Sequence, residues 1–286
     1  MASDRERNDR RRGPGGPGRT GDRGFAPNLQ AGRPHGRGRG PSREDPAQWL
    51  WGWHAVEAAL KNPERPRPER LLATADRARA IAALRPDLQP EIVEPVDIAR
   101  RLTAGAVHQG VALRTPPLEG ADLSEIAASG AGVVLVLDQI TDPQNVGAIL
   151  RSAAAFGARG VVMQDRHAPP LGGALAKAAA GALELTPVAR VVNLSRALET
   201  LSGAGWTTVG LDGTATTPLA TALDGGAVAI VLGSEGEGLR RLVAEHCDIL
   251  AAIPMPGGFE SLNVASAAAI ALYAALGTKG LRFTGE

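Results

Sequence analysis

VVLVLDQITDPQNVGAILRSAAAFG, residues 133–157, changes character after its first five residues. Residues 133–137 are apolar and mostly β-branched, with no polar alternation, the pattern of a strand buried on both faces of a parallel sheet. Asp142-Pro143-Gln144-Asn145 is turn chemistry. Val146, Ile149, Leu150, Ala153 and Ala154 then recur at helical spacing. The stretch therefore predicts strand, turn and helix, one half of a βαβ unit.

Downstream the same alternation continues. RGVVMQD (159–165) predicts a strand and GGALAKAAAGALEL (172–185) a helix. TPVARV (186–191) and LSRALETLSGAG (194–205) repeat the pair. WTTVGLD (206–212), AVAIVLG (227–233) and ILAAIPM (249–255) add strands, and an alanine-rich helix closes the series. Strands alternating with helices predict an α/β fold with a parallel sheet covered on both faces.

Upstream lies a smaller alternating module. WLWGWHAVEAALKN (49–62), PERLLAT (68–74), RARAIAAL (77–84), EIVEPVDIARRL (91–102) and HQGVALRTPP (108–117) give a second α/β unit. The division expected is a tail over 1–46, a module over 47–117, a linker with a short helix over 118–129, and the larger domain over 130–286. For 286 residues, two folded domains match the usual domain size.

Charge is unevenly spread. The formal net charge is +1, yet residues 1–46 hold eleven Arg against six Asp or Glu, and the remainder 20 basic against 24 acidic residues. The tail is rich in Arg, Gly and Pro and too poor in apolar residues to build a core, so it is read as disordered. A loose electrostatic tether to RNA and a solvated extension without a specific job are equally consistent with it. A polyanion site on the body must be a local patch. The N-terminus has no apolar segment of the secretory type, and no 18-residue run reads as a membrane span. The single cysteine, Cys247, excludes an internal disulfide and fits a reducing cytosol. His54, His108, His167 and His246 show no paired metal-ligand spacing, which argues against zinc. G-x-S-x-G and P-loop signatures are absent.

Ligands of open parallel sheets bind beyond the C-terminal strand ends. Three predicted strand ends carry polar or glycine clusters, and if those strands are neighbours the clusters converge. In the first, Asn145 suits a helix cap. Arg151 lies off the apolar stripe, where a solvated charge is the simpler reading and an anion contact the functional one. In the second, Gly233 to Gly238, glycines let backbone approach a ligand closely; Glu235 and Glu237 read equally as loop charges. In the third, Pro254, Pro256, Gly257 and Gly258 make a stiff and then permissive loop. Glu260 or Ser261 can cap the helix that follows. Its small residues suit a core, a ligand wall or a subunit interface.

Taken together, LDQITDPQNVGAILRSAAAFG (137–157), VLGSEGEGL (231–239) and IPMPGGFESLNVASAAAIALYAA (253–275) resemble the three motifs of the SpoU, or TrmH-like, RNA ribose 2′-O-methyltransferases in order, spacing and strand context. The resemblance covers about residues 130–276. WGWHAVEAAL and HQGVAL in the upstream module resemble the L30e-like substrate-binding domain that precedes such domains, as in bacterial 23S rRNA guanosine 2′-O-methyltransferases.

The resemblance implies a deep trefoil knot near the C-terminus, against the general rarity of knots. It implies a homodimer packed around that knot, acting in the cytoplasm without metal or membrane. S-adenosylmethionine is the implied cofactor, held bent and largely by backbone, with Gly233, Ile253 and Leu262 as contacts. The substrate implied is 23S rRNA. The motif makes Arg151 the essential arginine. One role is a general base assisted by an RNA phosphate; the other is to fix the phosphate and stabilise the developing alkoxide, since free guanidinium is protonated far above neutral pH. Asn145, Glu235, Ser261 and Asn263 match the remaining polar positions, to place the RNA, shape the cofactor loop or support Arg151. A tRNA guanosine methyltransferase, a catalytically silent RNA-binding assembly protein and a dinucleotide-dependent oxidoreductase are the alternatives. The last lacks its glycine fingerprint after the first strand.

Overall fold

The run Val133–Leu137 forms β5, and all five residues are buried. In the computed structural model, which describes residues 48–257 and 261–277, β5 lies inside a six-stranded, wholly parallel sheet. The tail over 1–46, expected to be disordered, lies outside the described residues, as does Glu260. The other strands are β6 (Gly160–Gln164), β7 (Val188–Val191), β8 (Thr207–Leu211), β9 (Val228–Leu232) and β10 (Ile249–Ala251). Their order is β10-β8-β9-β5-β6-β7.

The absence of alternation in β5 has a direct structural cause. Val133, Leu135 and Leu137 enter one core, together with Val228, Ile230 and Leu232 of β9. Val134 and Val136 enter a second core on the opposite face, together with Ala229 and Val231. Successive side chains of a strand point to opposite faces, so a strand covered on both must be apolar throughout.

Helices α5 (Pro143–Ala155), α6 (Gly173–Ala179) and α10 (Val264–Gly277) contribute to the first core, and α4 (Leu123–Ala128), α7 (Leu194–Gly203) and α9 (Arg241–Glu245) to the second. α8 (Leu219–Ala222) is a single turn. α5 and α6 approach closely because residue 147 is glycine: a Cβ there would lie 2.4 Å from that of Ala178. The helix expected over 172–185 is interrupted. Ala180 and Gly181 take left-handed backbone, with φ of 49° and 95°, and Ala182–Glu184 resumes as a separate 3-10 turn.

The upstream module carries a four-stranded sheet, β1-β4-β2-β3, of β1 (Trp49–Trp51), β2 (Arg70–Ala73), β3 (Glu91–Ile92) and β4 (Val111–Arg114). Only β2 and β3 run parallel; β4 is antiparallel to both β1 and β2. α1 (Trp53–Lys61), α2 (Ala75–Leu84) and α3 (Pro95–Ala99) complete it.

Candidate active site

The three strands that end in the motifs are β5, β9 and β10. β5 and β9 are neighbours, but β8 separates β9 from β10, which occupies the sheet edge. The clusters meet nonetheless, because the chain after β10 returns to place α10 against α5, β5 and β9.

The start of α5 is capped by Asp142, not Asn145. The Asp142 carboxylate accepts from the backbone N–H groups of Gln144 (3.1 Å) and Asn145 (3.4 Å), with Pro143 at the first helical position. A proline there loses no helical hydrogen bond. Asn145, in the first turn, is thereby freed to use its side chain elsewhere: its Nδ2 donates to Glu235 Oε1 at 3.2 Å.

Glu235 stands in the loop after β9. Ser234 and Gly238 exchange two backbone hydrogen bonds, 3.1 and 3.0 Å, closing the loop on itself. Gly236 and Gly238 take φ of 89° and 67°. Gly233 is required for a different reason, since a Cβ on it would sit 2.1 Å from the carbonyl carbon of Gly238. Beyond the loop, Arg240 anchors the chain to Asp138, which is fully buried at the end of β5. Arg240 donates its backbone N–H to Asp138 Oδ2 (2.9 Å) and its Nε to Oδ1 (2.8 Å). A buried carboxylate demands such partners. The anchor was absent from the sequence expectations, although a charged residue ending the run VVLVL signals it.

Asn263 joins the third motif to the other two. Its Nδ2 donates to Glu235 Oε1 at 2.7 Å and to Asn145 Oδ1 at 3.0 Å. Its Oδ1 accepts from the N–H groups of Ala265 (3.0 Å) and Ser266 (3.4 Å) at the start of α10. Asn263 is thus the cap expected of Glu260 or Ser261. The backbone N–H of Val264 adds a third donor to Glu235 Oε1, at 3.3 Å.

This network borders a cleft of about 1220 Å³ beyond the ends of β8, β9 and β10. Gly233, Glu235, Ile253, Ser261, Leu262 and Asn263 all line it. Leu211, Leu232, Ala251 and Ala267 supply apolar wall, and the backbone of 233–239 and 251–255 supplies polar groups. Asp212, Glu235 and Glu237 are its charged residues; no Lys, Arg or His lines it among the described residues. Such a lining is ill suited to a dinucleotide pyrophosphate and well suited to a cationic ligand. Asp212 and Thr214 were not singled out from sequence. Their loop is held by the Asp212 carboxylate, which accepts from the Thr214 N–H (2.8 Å) and hydroxyl (2.7 Å).

Two expected residues stand outside the lining. Asn145 is tied to it through Glu235 and Asn263. Arg151 lies six residues further along α5, about 9 Å by helical rise. Its side chain is exposed and makes no hydrogen bond or ion pair among the described residues.

Among the described residues no group of three or more His, Cys, Asp or Glu side chains could hold a metal ion. No helix among them is long and apolar enough to cross a membrane.

Residues 132–273 match the model of the SpoU rRNA Methylase family, and residues 49–121 that of the RNA 2′-O ribose methyltransferase substrate-binding domain. The chain is 39% identical over 243 residues to the 23S rRNA (guanosine-2′-O-)-methyltransferase RlmB of Xylella fastidiosa, covering 80% of this chain and 96% of that one. It is 42% identical over 236 residues to an uncharacterised tRNA/rRNA methyltransferase of Synechocystis, covering 78% of this chain but only 61% of that relative's length. Among solved structures, the SpoU methyltransferase AviRb of Streptomyces viridochromogenes, in complex with the cofactor AdoMet, superposes with a TM-score of 0.67 at 25% identity, covering 81% of this chain and 89% of that one.

Proposed function

The chain belongs to the SpoU rRNA methylase family, and from that premise we propose that it methylates the ribose 2′-OH of a guanosine in 23S rRNA, with S-adenosylmethionine as donor. The observation that carries the reading is the junction of Asn145, Glu235 and Asn263, one residue from each motif, on the rim of a cleft that no cationic side chain lines among the described residues.

When bound, S-adenosylmethionine supplies a methyl group on a sulfonium centre. The carboxylates of the cleft favour its positive charge, and the walls around Leu211, Ile253 and Leu262 accept its apolar parts. The backbone of the 233–238 loop, closed by the Ser234–Gly238 pair, offers fixed polar groups that need no reorganisation. Asn263 and Asn145 hold Glu235 and, through it, the relation between loop and helix. Ser261 contacts substrate from the cleft rim. Arg151, whose exposed side chain has no partner among the described residues, holds an RNA phosphate and stabilises negative charge as the 2′-oxygen attacks. The gain is alignment of nucleophile and methyl group.

The finer architecture belongs to the same reading. The return of the chain from edge strand β10 to α10 suits a trefoil knot through the second and third motifs. The upstream module is an L30e-like RNA-binding domain, with boundaries at 47–117, a linker at 118–129 and the catalytic domain from 130. The chain works as a cytoplasmic homodimer through α10, whose Ile270 and Tyr273 are 41% and 60% exposed. In isothermal titration, S-adenosylmethionine should bind and NAD should not. Ribose-methylation mapping of 23S rRNA from cells lacking the protein should reveal one missing guanosine mark. Loss of a tRNA mark with intact rRNA would transfer the activity to tRNA.

A further inference from the structure

Glu184, in the 3-10 turn after α6, lies 119 residues from Arg65, yet the two side chains are only 3% and 4% exposed. Arg65 donates Nη2 to Glu184 Oε1 (2.7 Å) and Nε to Oε2 (3.1 Å). Asn62 Nδ2 donates to the same Oε2 at 2.9 Å, and Arg65 Nη1 donates to the carbonyl of Pro116 at 2.6 Å. One carboxylate of the larger domain thus fastens the end of α1 and, through Arg65, the segment around Pro116 that closes the upstream module.

A second tie lies along α6. Gln109 has a left-handed φ of 55°, a strained setting for a residue with a side chain. Its Oε1 accepts from Lys177 Nζ of α6 (3.0 Å) and from the Trp53 N–H (2.9 Å), and its carbonyl accepts from Arg77 Nε (3.0 Å). Between the ties the backbones nearly touch: a Cβ on Gly181 would lie 3.0 Å from that of Ala58 and 3.1 Å from the His54 carbonyl oxygen. A buried bidentate pair is weak evidence for stability, because desolvation offsets its attraction. Its directional geometry instead fixes a register. α6 in turn packs on α5, which carries Asn145 and Arg151, through the Gly147–Ala178 contact.

We infer that Glu184 is a positioning residue. Resting on the function proposed above, it holds the upstream module in one orientation, so that RNA bound there meets the cleft and Arg151 in register. Chemistry is untouched by it; presentation of the RNA is its task.

Intramolecular distance measurement tests this directly. Spin labels are placed at Arg79→Cys in α2 and Ser202→Cys in α7, in a Cys247→Ser background, and diluted with excess unlabelled chain. The parent should give one narrow distance distribution, and Glu184→Ala should broaden it. The isosteric Glu184→Gln, which keeps the shape but loses the ion pair, should do the same and serves if the alanine variant does not fold. With S-adenosylmethionine saturating, kcat/KM for rRNA should fall tenfold to about a hundredfold, chiefly through KM, the range expected of small misplacements. Titrated affinity for S-adenosylmethionine should stay unchanged. A distribution that stays narrow in both variants overturns the latch whatever the enzyme's substrate. A broadened distribution with unaltered kcat/KM overturns its positioning role. A parent chain that binds no S-adenosylmethionine counts against the proposed function, and the distance measurement still decides the latch.

Discussion

Asn263 donates to Glu235 at 2.7 Å across two loops that leave different strands of the sheet. Since Asn145 and the Val264 N–H donate to the same oxygen, one carboxylate oxygen gathers three donors. Glu235→Ala should therefore loosen the cleft rim more than it unfolds the protein. A hydrogen bond to a charged group is worth about 1.5–3 kcal/mol when shielded from water, and solvent screening at the exposed Glu235 reduces this to about 1 kcal/mol, so chemical denaturation should show a small loss. Affinity for S-adenosylmethionine, read by titration calorimetry, should fall more clearly. Unchanged affinity would separate the network from the cofactor loop.

Arg151→Ala should separate binding from turnover. The residue is exposed and lines no part of the cleft. Titration with S-adenosylmethionine should give the parent affinity, whereas single-turnover methylation of rRNA should slow by about 10²–10³-fold, the scale of losing one charge-stabilising donor. Parent rates in this variant would remove Arg151 from the reaction.

Gly233 and Gly257 form a matched pair. A Cβ on Gly233 meets the Gly238 backbone at 2.1 Å, whereas one on Gly257 meets nothing within 4 Å among the described residues. Gly233→Ala should cost about 1–3 kcal/mol by overpacking and weaken S-adenosylmethionine binding by displacing the loop. Gly257→Ala should leave stability near the parent value. Denaturation midpoints and titrations on both variants decide it.

The buried strand β5, the helical stripe of α5 and the alternation that builds a parallel sheet were legible because each follows from periodicity. The gathering of Gly233, Glu235, Ile253, Ser261, Leu262 and Asn263 around one cleft followed from motif order. What escaped was choice among neighbouring polar residues. Asp142 and Asn145 are both capping residue types; Pro143 after Asp142 marks the cap, and only the fold reveals that Asn145 turns to Glu235. Asn263 took the cap expected of its neighbours because its Oδ1 reaches the first N–H groups of α10. The Asp138–Arg240 anchor spans 102 residues, beyond any local pattern. Strand order was equally hidden: nothing local states that β8 lies between β9 and β10.

Cys247 gives a pH signature independent of catalysis. Burial, and then the charges of Asp248 and Asp138, push its thiol from an ordinary 9.0 up to about 12. The folded protein keeps the thiol protonated, its Sγ 3.3 Å from the Val243 carbonyl oxygen, where an unfolded chain ionises. A group whose folded pKa is raised contributes stability that is fully present below the unfolded value and lost as pH rises through the folded one. The contribution of Cys247 should therefore decline between pH 9.0 and about 12. Because thiolate is the reactive form, Ellman's reagent at pH 8 should modify the native protein slowly and the denatured protein at once. Cys247→Ser should flatten the alkaline fall in denaturation midpoint, and a variant with the parent's pH profile would show that other groups govern it.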